Sequence, residues 1–206
     1  MFVFLEDCVK ELHDAIMADG YGIGSDIVKV DMFLNHRLDT KLLNAMGREF
    51  YNYFKSKNVD TILTIEASGI ALAIATATAF GEIPVVFAKK HPHEELDKIK
   101  EKGEDYTASV YSFTHKNNNV ITVKKRYLEK GSNVLVIDDF LANGEAAEGM
   151  INILKQAECK VAGIGIGVEK GFQPGGKHLR NFGYDVKSLA IIDAIDNGNL
   201  VLANDN

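Results

Sequence analysis

The most informative segment of the chain is VLVIDDFLANGEAA, which runs from Val134 to Ala147. Its four leading apolar residues predict a buried strand, and the carboxylates Asp138 and Asp139 follow that strand directly. The small residues 142–144 predict a tight turn, and Glu145 to Ala157 has helical character. The segment therefore predicts a strand, an acid pair and then a helix that begins beside the acids.

Similar units surround this segment and predict the fold class. Further apolar strand-like runs are Thr61–Ile65, Val85–Ala88 and Val161–Val168, and further helical segments are Phe2–Ala18, Thr40–Lys57 and Ile70–Phe80. Because strands alternate with helices and are apolar on consecutive positions, we expect a doubly wound α/β fold with a central parallel sheet. The runs Tyr106–Thr114 and Val120–Val123 flank three asparagines and predict a hairpin or a mobile excursion.

Length and composition limit the classes of protein that the chain can represent. Its 206 residues are typical of one domain, expected to span residues 1–206, and 46% hydrophobic residues exclude a disordered chain. The net charge of −6 argues against nucleic-acid binding. We expect no signal peptide, no membrane partner and a cytoplasmic location, and the two cysteines support neither a disulfide framework nor a zinc site.

Polar groups at the predicted strand ends indicate an anion-binding site. Helix N-termini after Asn143-Gly144 and after Ser68-Gly69 offer unpaired N–H groups to phosphates, and small residues let phosphates approach the backbone. The acid pair complements hydroxyls or a magnesium ion. Lys89 and Lys90 follow another predicted strand end, where they would neutralise a diphosphate, although a lysine pair by itself is also typical of a solvated surface.

The segment 134–147 resembles the phosphoribosyl pyrophosphate (PRPP) motif of type I phosphoribosyltransferases. Other stretches are similar to bacterial members of this family that act on xanthine: Val28–Asp31, Phe33–His36, Thr64–Ala71, Val85–His91, Thr107–Thr114 and Glu169–Gly175. The resemblance covers most of residues 25–189. It implies transfer of a phosphoribosyl group from PRPP to xanthine in purine salvage, with Mg²⁺ accompanying PRPP, and a homodimer.

The resemblance also implies roles for individual residues. PRPP would be held by Ala142, Asn143, Gly144, Glu145, Ala146, Ser68, Gly69, Lys89 and Lys90. Asp138 and Asp139 would act at the ribose hydroxyls as the catalytic pair, with no direct metal ligand assigned. Val28, Asn35 and Lys170 would bind the base, which a small N-terminal hood near residues 28–35 would cover.

Lys170 bears on the identity of the base. It follows the strand-like run 163–168, and an ammonium group donates hydrogen bonds but accepts none. A lysine at this point suits the oxygen of a 6-oxopurine better than the amino group of adenine, although its position alone is more typical of a surface lysine that ends a strand. Hypoxanthine, guanine and adenine remain alternative bases, and a noncatalytic PRPP-sensing regulator is an alternative of a different class.

Residues 171–177 contain a motif that is similar to a P-loop. Residues 171–177 fit the pattern G-x-x-x-x-G-K, which in P-loop NTPases cradles a nucleotide phosphate. His178 stands where that motif needs Ser or Thr to contact magnesium, and Pro174 lies inside the loop. We therefore expect no P-loop here.

Overall fold

The computed structural model of the chain describes residues 7–112 and 117–203. Within these residues the helices are α1 (Asp7–Asp19), α2 (Thr40–Phe54), α3 (Gly69–Ala79), α4 (Leu96–Lys102), α5 (Glu145–Gln156) and α6 (Gly175–Asn181). The strands are β1 (Tyr21–Ile23), β2 (Ile27–Lys29), β3 (Thr61–Ile65), β4 (Val85–Pro92), β5 (Asp105–Ser112), β6 (Asn117–Lys124), β7 (Asn133–Leu141), β8 (Lys160–Lys170), β9 (Val186–Asp196) and β10 (Asn199–Leu202).

The main sheet has the order β10-β9-β8-β7-β3-β4-β6-β5. Its neighbours from β9 to β4 run parallel, whereas β10 and the β5–β6 hairpin pair antiparallel at the two sides. The chain proceeds outward from β3 to β4 on one side and from β7 through β8 to β9 on the other. The strand order therefore reverses between β3 and β7, and ligands of open α/β sheets bind outside the carboxyl ends of such strands.

Both faces of the sheet are covered, which explains the continuous apolar runs. Leu135 and Ile137 of β7 belong to the core formed with α1, α2 and α3, whereas Val134 and Val136 belong to the core formed with α5. Successive strand residues point to opposite faces, so each apolar residue has a helix to pack against. The predicted doubly wound α/β fold is confirmed.

The predicted elements agree with the observed ones to within a few residues, with instructive exceptions. The predicted hairpin forms as β5 and β6, and part of it, Phe113 and Thr114, lies outside the described residues, as do Phe2–Glu6 of the predicted first helix. The prediction that Lys89 and Lys90 follow the end of β4 was wrong. Pairing with β3 ends at Ala88, but β6 then pairs with residues 89–92 and extends β4 through the lysines.

The N-terminal segment forms the expected small unit beside the main sheet, and we call residues 20–35 the hood. It comprises the β1–β2 hairpin and a π-helical turn, Asp31–Asn35. The Gly22 amide donates a hydrogen bond to the Gly198 carbonyl (2.8 Å), which anchors the hood to the β9–β10 turn. No helix among the described residues is long and apolar enough to cross a membrane.

Candidate active site

The acid pair lies beside the point where the strand order reverses. β7 pairs with β3 only through Val136 but continues to pair with β8 as far as Leu141. The sequence predicts that Asp138 and Asp139 follow the strand, but the structure places both inside β7. They lie on the part of β7 that is no longer paired with β3. This arrangement leaves the acids at the carboxyl-end crevice of the sheet.

The two carboxylates are strongly desolvated. Asp138 is 6% exposed and Asp139 5%, and the Asp139 amide donates to Asp138 Oδ1 at 3.0 Å. Burial, and then the charge of Asp139, raise the pKa of Asp138 well above its usual range, while the charge of Lys90 acts in the opposite direction. Such a pair favours a partner that brings positive charge or hydroxyl donors.

The turn between β7 and α5 is built for a close approach to the backbone. Gly144 has φ of 102°, a conformation that favours glycine, and as the N-cap residue of α5 it offers no side chain to the N–H groups of the first turn. The first N–H groups of α5 are thus available to an anion at the positive end of the helix dipole. Ala142, Asn143, Glu145 and Ala146 are half-buried, and burial raises the pKa of Glu145.

A second turn, between β3 and α3, contacts the acid pair directly. A Cβ atom on Gly69 would lie 2.8 Å from Asp138 Oδ1 and 2.5 Å from Thr64 Oγ1, so only glycine fits there. Ser68 precedes it without a side-chain cap for α3. The structure therefore brings the second predicted anion-binding turn into contact with Asp138, while the first turn follows the acid pair along the chain.

Glu66 fastens this second turn to β4. Its Oε1 accepts a hydrogen bond from the Lys90 amide (2.6 Å), and its own amide donates to the Ala88 carbonyl (3.1 Å). The side chain of Lys90 is close enough to affect the pKa of Asp138. Since neighbouring strand residues point to opposite faces, Lys89 points away from Lys90, and the structure does not bring both lysines to the acids.

The three residues predicted for the base lie at the hood and the end of β8. Lys170 Nζ donates to the Asp26 carbonyl at 2.7 Å, and burial lowers the pKa of Lys170. Val28 is buried two residues beyond Asp26, whereas Asn35 is exposed at the end of the π-helical turn. The hood therefore reaches the end of β8 through a direct hydrogen bond.

Sequence reasoning missed three members of this region. Glu66 stands directly after a predicted strand, which is the signal that could have identified it. Thr64 is fully buried, and its hydroxyl has no hydrogen-bond partner in the described part of the chain. Asp26 acts through its backbone carbonyl, so its side-chain type carries no signal.

A protein-only metal centre is absent from the described residues, where no three His, Cys, Asp or Glu side chains cluster suitably. Mg²⁺ instead commonly takes one or two carboxylates and completes its oxygen shell with substrate phosphates and water. The desolvated pair Asp138 and Asp139 fits that pattern. A separate cleft of about 410 Å³ lies between α5 and α6, and none of the predicted site residues lines it.

Comparison with known proteins agrees with this architecture. Residues 30–195 match the phosphoribosyl transferase domain. The chain is 51% identical over 189 residues to the xanthine phosphoribosyltransferase of Ruminiclostridium cellulolyticum, covering 92% of this chain and 96% of that one. It is 48% identical over 195 residues to the enzyme of the same name from Lacticaseibacillus casei, with 95% and 98% covered.

The fold has solved counterparts as well. The adenine phosphoribosyltransferase of Rhodothermus marinus superimposes with a TM-score of 0.68 at 19% identity, covering 90% of this chain and 99% of that one. That likeness concerns the fold alone, whereas the domain match takes in β7, both glycine turns and Lys170. The chain belongs to the phosphoribosyltransferase family.

Proposed function

We propose that the protein is a xanthine phosphoribosyltransferase, which converts xanthine and PRPP to xanthosine 5′-monophosphate and pyrophosphate in purine salvage. The observation that carries the reaction class is the packing of Gly69 against Asp138, which brings a second amide-lined turn to the acid pair that the β7–α5 turn follows. PRPP has the matching chemistry, since a ribose with two hydroxyls separates its 5′-phosphate from its diphosphate. About 50% identity to enzymes named for xanthine supports that base.

In this proposal, different residues bind the 5′-phosphate, the ribose and the diphosphate of PRPP. The turn of Ala142, Asn143 and Gly144, with the first residues of α5, holds the 5′-phosphate through backbone N–H groups. Asp138 and Asp139 accept hydrogen bonds from the ribose hydroxyls. Ser68 and Gly69 hold the diphosphate, and Lys90 neutralises part of its charge. Lys89 points the opposite way and therefore contributes less to neutralising the diphosphate.

Mg²⁺ is part of the proposal as the cation that accompanies PRPP. The acid pair would hold it together with oxygens of the substrate, and when bound it supplies positive charge that stabilises the departing diphosphate. The raised pKa of Asp138 supports this assignment, because a carboxylate in so desolvated a place is stabilised by a cation partner.

The base lies under the hood in this proposal, with Val28 against its ring and Asn35 and Lys170 at its edge. Lys170 donates a hydrogen bond to an exocyclic oxygen of the base, exchanging its present partner, the Asp26 carbonyl. Xanthine, hypoxanthine and guanine each carry an oxygen at the 6-position, whereas adenine carries an amino group that Lys170 cannot serve. The residues thus favour 6-oxopurines as a class, and the relatives favour xanthine among them.

The chemical step is a substitution at the anomeric carbon of the ribose. A ring nitrogen of xanthine forms the new C–N bond, the C–O bond to pyrophosphate breaks, and the proton of that nitrogen is released. Positive charge develops on the sugar ring as the bond breaks, as in glycoside cleavage. The protein contributes mainly by holding base and ribose in line and by stabilising the leaving diphosphate.

The proposal also covers the domain organisation, the oligomeric state and the cellular location of the protein. We propose that residues 1–206 act as one domain, that the enzyme works as a homodimer, and that it works in the cytoplasm. Size-exclusion chromatography with light scattering tests the dimer, which a monomeric mass at micromolar concentration would contradict.

A competition assay tests the proposed function. The purified protein is given PRPP, Mg²⁺ and each of xanthine, guanine, hypoxanthine and adenine, and pyrophosphate release is followed. We expect the highest kcat/KM with xanthine. A preference for adenine would overturn the base assignment, and PRPP binding without turnover of any base would instead favour the noncatalytic regulator.

A further inference from the structure

An ion pair at the end of β8 joins Glu169 to Arg180 of α6. The guanidinium of Arg180 on α6 binds both carboxylate oxygens of Glu169, at 2.8 and 2.7 Å, and the hydroxyl of Ser188 on β9 donates to the same carboxylate. The Glu169 side chain is 5% exposed. Burial would raise the pKa of Glu169, but the hydrogen bonds from Arg180 and Ser188 outweigh burial and lower it.

Two glycines at the start of α6 connect this ion pair to the β7–α5 turn. Gly176 lies against the ion pair, because a Cβ atom there would collide with the Glu169 carboxylate and lie 2.6 Å from Nη1 of Arg180. Gly175 lies against the turn on its other side. Its amide donates to the Ala142 carbonyl at 3.1 Å, and a Cβ atom on Gly175 would lie 2.7 Å from the Gly144 amide nitrogen.

These contacts leave the turn little freedom. A Cβ on Gly144 would in turn lie 3.3 Å from Gly175 Cα, so the two backbones are in contact from both sides. In the sheet, Glu169 is also the direct neighbour of Leu141, the residue before the turn. Any shift of α6 relative to β8 would therefore be transmitted to the backbone at 142–144.

We propose that Glu169 and Arg180 are positioning residues for PRPP, which act by clamping Gly175-Gly176 against the β7–α5 turn. We call the ion pair with these two glycines the α6 brace. This inference rests on the proposed function, since it assumes that the turn holds the 5′-phosphate. It also explains the close pair of glycines in the P-loop-like stretch 171–177: they serve backbone packing rather than nucleotide binding.

The test is Arg180→Met, which keeps an apolar stem but removes both hydrogen bonds to Glu169. We expect KM for PRPP to rise about 10- to 100-fold, the scale typical of lost positioning, while KM for xanthine changes less than about twofold. Arg180→Lys keeps the charge but loses the two-pronged geometry, so it should fall between Arg180→Met and the wild type. Such a graded, PRPP-selective effect is not expected if the ion pair only stabilises the fold.

Amide hydrogen exchange gives a readout that is independent of turnover. In the ligand-free protein, Arg180→Met should increase exchange at residues 142–147 while leaving the β3–α3 turn unchanged. The matched control is Lys57→Met, which removes a 2.8 Å ion pair with Asp185, just before β9 at the amino end of the sheet. This control should alter neither KM for PRPP nor exchange at 142–147.

Each outcome decides the proposal. Wild-type KM for PRPP and wild-type exchange at 142–147 in a folded Arg180→Met protein would overturn the brace, as would an equal rise in both KM values. If Arg180→Met does not fold, Arg180→Lys and Ser188→Ala are judged by the same two measurements. If the wild type releases no pyrophosphate with any purine, the proposed function fails, and hydrogen exchange alone then tests the coupling of the ion pair to the turn.

Discussion

Replacing Gly144 by alanine tests the β7–α5 turn with a cost that the backbone conformation defines. A non-glycine residue held at a positive φ of this kind costs about 1–3 kcal/mol. At Gly144 the new Cβ would also lie 3.3 Å from Gly175 Cα, which is itself wedged against the turn. The variant must therefore either keep a strained turn or move the turn away from its present path.

The predicted result follows from the second alternative. If the turn relaxes by leaving the geometry that fits the 5′-phosphate, a strain of about 1–3 kcal/mol reappears as PRPP affinity lowered by about 5- to 150-fold. We expect KM for PRPP to rise within that range while KM for xanthine stays nearly constant. Steady-state kinetics with the other substrate saturating measure the two KM values. Titration calorimetry with xanthosine 5′-monophosphate measures the affinity for the nucleotide phosphate independently of turnover.

Gly131 provides a matched control for backbone strain. It has φ of 90° and lies just before β7, at the opposite end of that strand. Apart from its chain neighbours, no atom of the described residues lies within 4 Å of the position of a new Cβ. Gly131→Ala should lower the free energy of unfolding by about 1–3 kcal/mol without changing KM for PRPP. A folded Gly144→Ala protein with wild-type PRPP affinity would refute the assignment of this turn to the phosphate.

The other predictions concern three further side chains, Asp138, Lys170 and Thr64. Because burial and Asp139 raise the pKa of Asp138, the folded ligand-free protein holds that proton more tightly than the unfolded chain does, and its stability falls as pH rises through this pKa. Without Mg²⁺, the Tm of Asp138→Asn should therefore decline less than that of the wild type as pH rises above the usual range of a carboxyl pKa, although its turnover falls about 10- to 100-fold; parallel pH dependences in thermal melts would contradict the reasoning. Lys170→Met should raise KM for xanthine about 10- to 150-fold, since a hydrogen bond to a charged group contributes about 1.5–3 kcal/mol, and an unchanged value would remove Lys170 from the base site. Thr64→Val deletes a buried hydroxyl without a partner in the described residues and should raise the free energy of unfolding by up to about 1 kcal/mol in urea titrations; a loss of stability would reveal a partner for that hydroxyl.

The central strands and their helices could be predicted because burial on both faces leaves a plain mark on the sequence. β3, β7 and β8 each contain a run of apolar and β-branched residues, and turn residues follow each strand. By contrast, β1 and β2 have only three residues each, and β9 mixes charged residues with apolar ones. Neither pattern differs enough from that of a loop to predict a strand.

In the candidate site, too, local sequence patterns predict some of the residues and not others. The acid pair and the two glycine turns were predictable, since the carboxyl ends of parallel strands share one edge of the sheet. The hydrogen bond from Lys170 to Asp26 joins residues 144 positions apart and depends on the path of the hood backbone, which no local pattern specifies. The different orientations of Lys89 and Lys90 depend on pairing between β4 and β6, which the apolar run ending at Ala88 did not predict.

The most direct test of the account is a crystal structure of the protein with xanthosine 5′-monophosphate and Mg²⁺. We predict the phosphate on the backbone amides that follow Gly144, the ribose hydroxyls within hydrogen-bond distance of Asp138 or Asp139, and the base under the hood with Lys170 Nζ near an exocyclic oxygen. A nucleotide bound instead in the cleft between α5 and α6, or with its phosphate on the turn at Gly69, would contradict the account.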